Sequence, residues 1–212
     1  MIDITWFGHS MWKFDFSNVS VVIDPYTDIG YPLRKIDKAD IVISTHNHFD
    51  HNNFSLINTY KLKITEQGDY SYKNLKIDAI QVWHDKKLGS LRGKNLLIKI
   101  KQKGLSLLHC GDLGHIPDES VIQKLGRIDL LFVPIGGIYT IDAYEAKQLA
   151  EILNPKIIFP MHYQTPVLNL SLEKPEKFLS LFEPNKIKFF KSNKITLESL
   201  PDNMQIYVMN YA

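Results

Sequence analysis

Short apolar segments fill the first half of the chain, and their pattern predicts a fold rich in strands. Apolar residues at every second position, or in short continuous runs bounded by turn residues, are typical of β-strands. The predicted strands are residues 2–7, 11–16, 19–23, 41–44, 75–83, 95–101, 105–108, 128–133 and 156–159. Residues 41–43 and 130–133 are continuously apolar, which indicates burial on both faces and therefore sheets covered by helices.

Helix signals are fewer and lie in the second half of the chain. One helix is predicted from Pro117, which suits a first helical position, to the residue before Gly126. A second is opened by Asp142 and carries apolar residues at helical spacing until Pro155 stops it. A third is predicted to begin at Pro175. Strands and helices together predict an α/β layered domain.

Two other segments have weaker patterns. Residues 31–38 are predicted to be a loop. The alternation Ile-Lys-Ile-Lys over residues 98–101, followed by Lys103, predicts a strand with one solvent-exposed face. We expect it to be an edge strand whose lysines prevent further strand pairing. A lysine track for nucleic acid is the alternative interpretation of these side chains.

The composition is that of an ordinary globular chain. Of its 212 residues, 44% are hydrophobic and 23% are charged, a size and balance that suit one to two domains. No repeat or linker divides the chain, so a single domain over residues 1–212 is expected. Lys and Arg (25) barely exceed Asp and Glu (23), and a net charge of +2 argues against binding nucleic acid through its phosphates.

The cysteine count and the N-terminal segment bear on the compartment. Cys110 is the only cysteine, so the chain forms no internal disulfide and suits a reducing compartment. Residues 1–9 lack the pattern of a signal peptide, and no run of about 18 apolar residues occurs. We therefore expect a cytoplasmic protein without a membrane span.

The segment His46-Asn47-His48-Phe49-Asp50-His51 carries the most informative chemistry, and it directly follows an apolar strand. Residues two apart in extended or turning backbone can point the same way. His46 and His48 can therefore converge on one cation while Asp50 and His51 turn toward a second. The alternative is a polar surface loop, but three imidazoles beside a carboxylate offer little to a fold without a metal.

Other candidate ligands follow other apolar runs. Three predicted strands are followed by His84, Asp112 and His162. If neighbouring strands run parallel, their carboxyl ends meet at one rim of the sheet, where α/β proteins usually build their sites. The alternatives are a surface histidine for His84, a turn or capping aspartate for Asp112, and a surface or packed histidine for His162.

Together these segments resemble the metallo-beta-lactamase superfamily, with its His-x-His-x-Asp-His loop and later His, Asp and His. Within it the chain is most similar to small intracellular metal-dependent hydrolases related to ascorbate-6-phosphate lactonase and to the phospholipase D that cleaves N-acyl-phosphatidylethanolamines. The resemblance extends over nearly the whole chain. Its further marks are Trp6-Phe7-Gly8-His9-Ser10, Ile23-Asp24-Pro25, Arg92-Gly93-Lys94-Asn95, Gly111-Asp112-Leu113-Gly114-His115, Pro134-Ile135-Gly136-Gly137, Tyr139-Thr140 and Pro160-Met161-His162-Tyr163.

The resemblance implies a four-layer αββα sandwich with a dinuclear metal site at one edge of the paired sheets. The ligands that it implies are His46, His48 and His84 for metal 1, Asp50, His51 and His162 for metal 2, and Asp112 as the bridge. Two divalent ions are implied, zinc first, although manganese or iron fits the same donors. Redox diiron relatives have Glu in place of the loop's second histidine, so His48 favours hydrolysis. A homo-oligomer is also compatible with the family.

Several residues outside this ligand set are candidates for proton transfer or substrate contact. They are His109 and His115, as catalytic groups beside Asp50, and His9, Asp24, Arg92 and Tyr139 as residues that orient ligands or touch the substrate. Asp24 can accept the second N–H of a ligating imidazole, and Arg92 can clamp a phosphate or carboxylate. Packing is the alternative for the three histidines, and a surface salt bridge is the alternative for Arg92.

Two adjacent cations lower the pKa of a shared water and leave a hydroxide aimed between them. The sequence thus predicts a metal-dependent hydrolase of a small ester, lactone or phosphodiester, with an anionic small molecule preferred and Cys110 only a packed residue. Three alternatives stay open: a nuclease or other RNA-processing phosphodiesterase, a non-hydrolytic iron protein acting on oxygen or thiols, and a catalytically silent metal-binding module.

Overall fold

A computed structural model describes residues 1–211, which form sixteen strands and three α-helices. The strands are β1 (Ile2–Gly8), β2 (Met11–Phe16), β3 (Val19–Ile23), β4 (Ile36–Lys38), β5 (Ile41–Ile43), β6 (Ile57–Thr59), β7 (Leu62–Ile64), β8 (Gly68–Tyr72), β9 (Leu75–Trp83), β10 (Lys94–Gln102), β11 (Leu105–His109), β12 (Leu130–Pro134), β13 (Ile157–Met161), β14 (Ile187–Phe189), β15 (Lys194–Leu197) and β16 (Gln205–Val208). The helices are α1 (Glu119–Leu125), α2 (Ala143–Leu153) and α3 (Glu176–Leu179). No helix in this described part is long and apolar enough to cross a membrane.

Two large sheets organise these strands. Sheet 1 has the order β15-β1-β2-β3-β5-β7, sheet 2 has the order β14-β16-β13-β12-β11-β10-β9-β8, and β4 pairs with β6 alone. In sheet 1, β3 and β5 are parallel. In sheet 2, β11, β12 and β13 are parallel, and β9 runs in the same direction because β9 and β11 are both antiparallel to β10. The carboxyl ends of β9, β11 and β13 therefore share one rim, as the sequence predicts.

A shared apolar core joins the two sheets. Trp12 and Phe14 of sheet 1 pack edge-on against Phe132 of sheet 2, with ring centroids 4.8 and 4.9 Å apart. Phe132 in turn stacks on Phe159 at 4.5 Å. All four rings are fully buried, so burial of aromatic surface stabilises the contact between the sheets.

The outer faces of the two sheets are covered differently. The helix α2 packs against β12 and buries Ala146, Leu149 and Ala150. On the far side of sheet 1, a second apolar cluster is formed by loop residues, among them Tyr31 and Leu168, and by the β4/β6 pair. The mixed α/β class with paired sheets is confirmed, and the layer over sheet 1 is built largely from loops.

Helix ends follow their capping residues. Asp142 accepts the backbone N–H groups of Tyr144 and Glu145, both at 2.9 Å, and the Glu145 carboxylate accepts the Asp142 N–H at 3.1 Å. This capping box starts α2 where the sequence predicts. The start of α1 differs, because Asp118 rather than Pro117 makes the cap and the first helical residue is Glu119.

The prediction that residues 95–101 form an edge strand is wrong. β10 lies inside sheet 2 between β9 and β11. Lys99 is buried, with 3% of its surface exposed, and its ammonium donates to the carbonyl of Leu125 at the end of α1. A carboxyl end of a helix offers unpaired carbonyls and partial negative charge, so a lysine can be buried there.

Seven short strands were not predicted. They are β4, β6, β7, β8, β14, β15 and β16, each three to five residues long. One of them, β4, lies in the segment 31–38 that was predicted to be loop. Such short segments carry too few residues for a clear period, and their pairing with distant strands decides their conformation.

Candidate metal centre

A cluster of imidazoles and carboxylates lies where the carboxyl ends of the strands meet. The loop after β5 carries His46, His48, Asp50 and His51, and the segments after β9, β11 and β13 supply His84, Asp112 and His162. Six of these seven side chains are buried, and His48 is partly exposed. The structure thus brings together all seven residues that the resemblance implies as ligands.

Asp112 stands at the centre of the cluster. Its Oδ2 lies 3.1 Å from His162 Nε2, 3.2 Å from His84 Nε2 and 3.8 Å from His46 Nε2. Its Oδ1 lies 3.3 Å from His51 Nε2. One carboxylate therefore faces histidines implied for both metal positions.

The donor atoms separate into overlapping groups, each compact enough to surround one cation. Within each group the ligand atoms all lie within 4.8 Å of one another. The groups are His46, His48 and His84; His46, His51 and Asp112; and His9, Asp50, His51 and His162. The first and third correspond to the two positions that the resemblance implies, except that the third also contains His9.

Asp24 and Thr45 orient two of the imidazoles. Asp24 Oδ2 accepts the Nδ1–H of His51 at 2.9 Å and the hydroxyl of Thr45 at 2.8 Å. Because its own proton is donated to Asp24, the Thr45 hydroxyl accepts from His46 Nδ1 at 3.0 Å. With a cation in place of a second proton, both imidazoles would carry their one proton on Nδ1 and direct an Nε2 lone pair at the cation, which suits a metal ligand.

The pKa shifts of the clustered residues indicate that their carboxylates are ionised and favour additional positive charge nearby. Burial, and then the charge of His51, lowers the pKa of His46 well below its usual value. Burial alone would also lower the pKa of His51, but the carboxylates of Asp112, Asp24 and Asp50 raise it well above its usual value. Burial opposes ionisation of Asp112, yet the charges of His162 and His51 hold its pKa well below its usual value. These ionised carboxylates favour a cation in their midst.

Buried atoms without hydrogen-bond partners test whether a metal fits. His46 Nε2, His51 Nε2 and Asp112 Oδ1 are buried and make no hydrogen bond within the described residues, although all three face the same space. Leaving such atoms unpaired costs about 1–3 kcal/mol each. Imidazole and carboxylate donors together suit zinc and other divalent transition metals, so the residues fit the metal that the resemblance implies.

Several residues of the site have a strained backbone conformation, which sets the direction of their side chains. His9, Asp24 and His162 have φ values of 51°, 53° and 50°, a left-handed conformation that costs a non-glycine residue about 1–2 kcal/mol. The carbonyl of His9 accepts both the indole N–H of Trp6 at 3.0 Å and the backbone N–H of His162 at 3.2 Å. The fold therefore holds these residues in place against local preference, as functional sites often do.

His9 lies against the second donor group. Its Nε2 is 3.1 Å from Asp50 Oδ2, and its ring centroid is 4.2 Å from that of His162. Burial and the positive charge of His162 lower the pKa of His9 to about 4. The imidazole is therefore neutral near pH 7.

His109 and His115, predicted as catalytic groups, do not join the donor cluster. His109 Nε2 donates to the Ser10 carbonyl at 2.9 Å, while its Nδ1 accepts the Gly111 N–H at 3.1 Å. His115 Nδ1 donates to the Ile116 carbonyl at 2.9 Å, and its Nε2 accepts the Trp83 N–H at 3.3 Å. Backbone groups thus occupy both nitrogens of each ring, which leaves neither free to transfer a proton to a substrate.

A cavity of about 330 Å³ opens onto the donor atoms. Its remaining walls are Phe49, Arg92, Tyr139 and Leu170. The guanidinium carbon of Arg92 lies 5.5 Å from the centre of the Tyr139 ring, within the range of a cation–π contact. Arg92 and His48 also line a neighbouring cavity of about 390 Å³ that is edged by Lys94. The Arg92 residue therefore lines both cavities and lies at the boundary between them.

Sequence reasoning missed Asp85, which organises the loop that carries Arg92. One oxygen of its carboxylate accepts the N–H groups of Lys87 and Gly89, at 2.7 and 3.2 Å, and the other accepts those of Leu91 and Arg92, at 3.1 and 2.8 Å. No spacing rule signals this role, because the acceptor and its donors meet only when the loop folds back.

Thr45 and Asn95 were also missed as site residues. Asn95 accepts the backbone N–H of Asp112 at 3.0 Å and donates to the Cys110 carbonyl at 2.8 Å. It thereby fixes the strand end that carries the central carboxylate. Gly111 has a φ of 53°, and a Cβ there would lie 2.4 Å from Asn95 Oδ1 and 2.6 Å from Thr45 Oγ1, so only glycine fits at this crossing.

Comparison with known proteins finds relatives that share most of the length of this chain. A family model described as "Beta-lactamase superfamily domain" matches residues 3–162. A UPF0173 metal-dependent hydrolase from a Geobacillus species is 30% identical, over 84% of this chain and 92% of that relative. A UPF0173 metal-dependent hydrolase from Hyperthermus butylicus is 28% identical, over 85% of this chain and 92% of that relative.

A solved structure is similar over almost its full length. It is that of a Thermotoga maritima protein described as a candidate Zn-dependent hydrolase of the metallo-beta-lactamase superfamily. The two share 32% sequence identity and a TM-score of 0.82, over 99% of this chain and 98% of that one.

Proposed function

The chain belongs to the beta-lactamase superfamily and is a metal-dependent hydrolase, and from this premise we propose that it uses a dinuclear centre, preferably of zinc, to cleave a small anionic ester, lactone or phosphodiester. The proposed ligands are His46, His48 and His84 for one ion, Asp50, His51 and His162 for the other, and Asp112 between them.

The position of Asp112 is the main support for this proposal. Its two oxygens lie 3.1–3.8 Å from the Nε2 atoms of four histidines that come from three separate segments of the chain. Two of these histidines, His46 and His84, belong to the first proposed position, and two, His51 and His162, belong to the second. A carboxylate shared in this way is suited to bridge a pair of cations.

Ions bound there would lower the pKa of a water between them and polarise the scissile carbonyl or phosphoryl group. The chain's own residues prepare for this chemistry. Asp24 and Thr45 hold the proton of two imidazoles on Nδ1, so that the Nε2 lone pairs stay available. Asp50 lies at the cavity wall, where an ionised carboxylate can accept a proton from the attacking water.

Arg92 is the proposed contact for an anionic group of the substrate. It lines the cavity beside the donor atoms, and a guanidinium recognises carboxylate or phosphate through paired hydrogen bonds. The four hydrogen bonds to Asp85 hold the backbone of its loop directly after the ligand His84. The position of the guanidinium is thereby coupled to the metal centre.

The rest of the cavity favours a substrate with an apolar part. Phe49, Tyr139 and Leu170 form an apolar part of the cavity wall. Phe49 and Tyr139 are 56% and 38% exposed, so their aromatic surface is available to a ligand. The preferred substrate would place a hydrolysable bond at Asp112, its anionic group at Arg92 and an apolar group on this wall.

Metal analysis combined with hydrolysis assays tests the proposal. The purified protein should hold about two metal ions per chain and should hydrolyse lactone or phosphodiester probes that carry a negative charge. His48→Ala should lose metal and turnover, whereas His115→Ala removes an imidazole whose nitrogens bond only to backbone and should keep two ions. Hydrolysis that persists after complete removal of metal would refute the proposal.

A further inference from the structure

His9 belongs to a donor group to which the resemblance assigns only three residues. One of its ring nitrogens and donor atoms of Asp50, His51 and His162 all lie within 4.8 Å of one another, and its Nε2 is 3.1 Å from Asp50 Oδ2. The His9 side chain is completely buried. It therefore shares with these three residues the space in which the second ion is proposed to lie.

The local fold aims His9 at this space. The preceding Gly8 has a φ of 113°, and a Cβ there would lie 2.5 Å from the ring of Tyr31, so the turn requires glycine. His9 is itself left-handed, and its carbonyl is held by hydrogen bonds from Trp6 and His162. These contacts fix the orientation of His9 beside the donor group.

Like two of the proposed ligand histidines, His9 has a buried ring nitrogen without a hydrogen-bond partner. His9 Nδ1 is buried and makes no hydrogen bond within the described chain, as is true of Nδ1 in His84 and His162. Its Nε2 points toward the cluster and makes one contact, at 3.1 Å from Asp50 Oδ2. By contrast, backbone partners satisfy both nitrogens of the packed His109.

We infer that His9 is a fourth protein ligand of the second metal position, together with Asp50, His51 and His162. This inference rests on the proposed metal centre and adds to it a neutral donor from the first turn of the chain. The second position would then hold more protein donors than the first, whose His48 is partly open to the cavity. The first position would keep more room for substrate.

The alternative is that His9 only positions Asp50 through a hydrogen bond, and two substitutions separate these roles. His9→Ala removes both functions. His9→Gln keeps an N–H that can donate to Asp50 but provides a poor ligand. If His9 is a ligand, both variants should hold one ion where the wild type holds two. Their dissociation constant for the second ion should rise by more than about 100-fold, above the 10–100-fold typical of an outer hydrogen-bonding partner.

Occupancy is measured by elemental analysis after equilibration at a buffered zinc concentration, and cobalt absorption spectra report the coordination of each position. Retention of the first ion, and a thermal midpoint of the metal-free variant equal to that of the metal-free wild type, show that a variant is folded. Recovery of wild-type affinity for the second ion by His9→Gln would overturn the inference.

A measurement on the unmodified protein covers the case in which the variants fail to fold. In protein labelled with ¹⁵N-histidine and loaded with ¹¹³Cd, His9 Nε2 should show one-bond coupling to cadmium, as should His51 and His162. Coupling at the latter two without coupling at His9 would also overturn the inference. A wild-type protein that binds no metal would instead refute the proposed function itself.

Discussion

Asp24 accepts the Nδ1–H of His51 at 2.9 Å, although the two residues are 27 positions apart in the chain. The same carboxylate accepts the hydroxyl of Thr45, which in turn contacts His46 Nδ1. His46 and His51 belong to different proposed metal positions. One buried carboxylate therefore orients a donor for each ion.

Replacement of Asp24 by Asn should weaken both metal positions. Asn tolerates the left-handed backbone at this residue, and it keeps the size of the side chain while removing the charge that accepts the two protons. We expect metal affinity to fall by about 10–100-fold, measured by competition with a chromogenic chelator. Asp118→Asn, at the exposed cap of α1, is the control. Unchanged affinity in folded Asp24→Asn protein would show that Asp24 does not orient the ligands.

The ligand segments were predictable because local signals place them. The segment from His46 to His51 follows an apolar strand, and His84 and His162 also follow apolar strands, so the common direction of these strands and the packing of the two sheets bring them together. The strands before these ligands were recognisable because they are largely apolar runs followed directly by polar residues.

The supporting residues were not predictable for the opposite reason. Asp85 acquires its role only when a loop folds around it, and Asn95 only when β10 pairs with β11. The environment of Lys99 is not predicted correctly because lysines that alternate with isoleucines are typical of a strand with one solvent-exposed face. The acceptor that allows Lys99 to be buried is a carbonyl at the end of α1, which is distant in the sequence. Such roles depend on tertiary contacts that no local pattern encodes.

Removal of metal should destabilise the fold. Without cations, the buried carboxylates of Asp24, Asp50 and Asp112 lie close together and repel one another. Restoring zinc at 100 times its dissociation constant should add about 2.7 kcal/mol for each ion bound, and one such increment raises the thermal midpoint by roughly 5–10 °C for a chain of this length. Differential scanning calorimetry measures the rise. Asp112→Ala should show little of it, and an equal rise in that variant would count against a shared bridging carboxylate.

Acid should remove a stabilising contribution of Asp40. Burial raises the pKa of this carboxyl, but hydrogen bonds from Ser20 and Tyr72 and the charge of Lys73 outweigh it, so the pKa lies below 3.8. The ionised group is thus favoured in the folded state. Its contribution is complete above the unfolded value of 3.8 and is lost as the pH falls through the folded pKa.

Urea unfolding of Asp40→Asn across the pH range tests whether the stabilisation by Asp40 is lost, as expected, when the pH falls. The variant should be less stable than the wild type by about 1 kcal/mol at pH 7, and the difference should shrink as the pH falls below 3.8 and through the folded pKa. Asp202→Asn, an exposed position with the same change of charge, should match the wild type throughout. A difference for Asp40→Asn that grows on acidification would contradict the assignment.

Arg92 should set the preference for anionic substrates. Loss of hydrogen bonds to a charged group costs about 1.5–3 kcal/mol, so Arg92→Ala should lower kcat/KM for a negatively charged probe by roughly 10–100-fold. A neutral probe with the same scissile bond should be affected far less. Arg92→Lys should recover only part of the loss because it keeps the charge without the planar fork.

Arg34→Ala provides the matched control, since it removes an exposed guanidinium outside the cavity. Metal content should be unchanged in all three variants. An equal loss on charged and neutral probes would show that Arg92 supports the site in general and does not bind the anion.

Asp85→Ala should release the loop that holds Arg92. The four backbone N–H groups that Asp85 accepts would lose their partner, while the bond from the His84 N–H to the Gly93 carbonyl at 3.0 Å would still close the base of the loop. The metal ligand His84 should therefore stay in place while the loop becomes mobile. Trypsin should cleave the variant faster after the exposed Lys86 and Lys87, and the preference for anionic probes should fall as it does in Arg92→Ala. Rapid cleavage with the preference intact would separate the loop from substrate recognition, because it would mean that the guanidinium finds its position without the Asp85 hydrogen bonds.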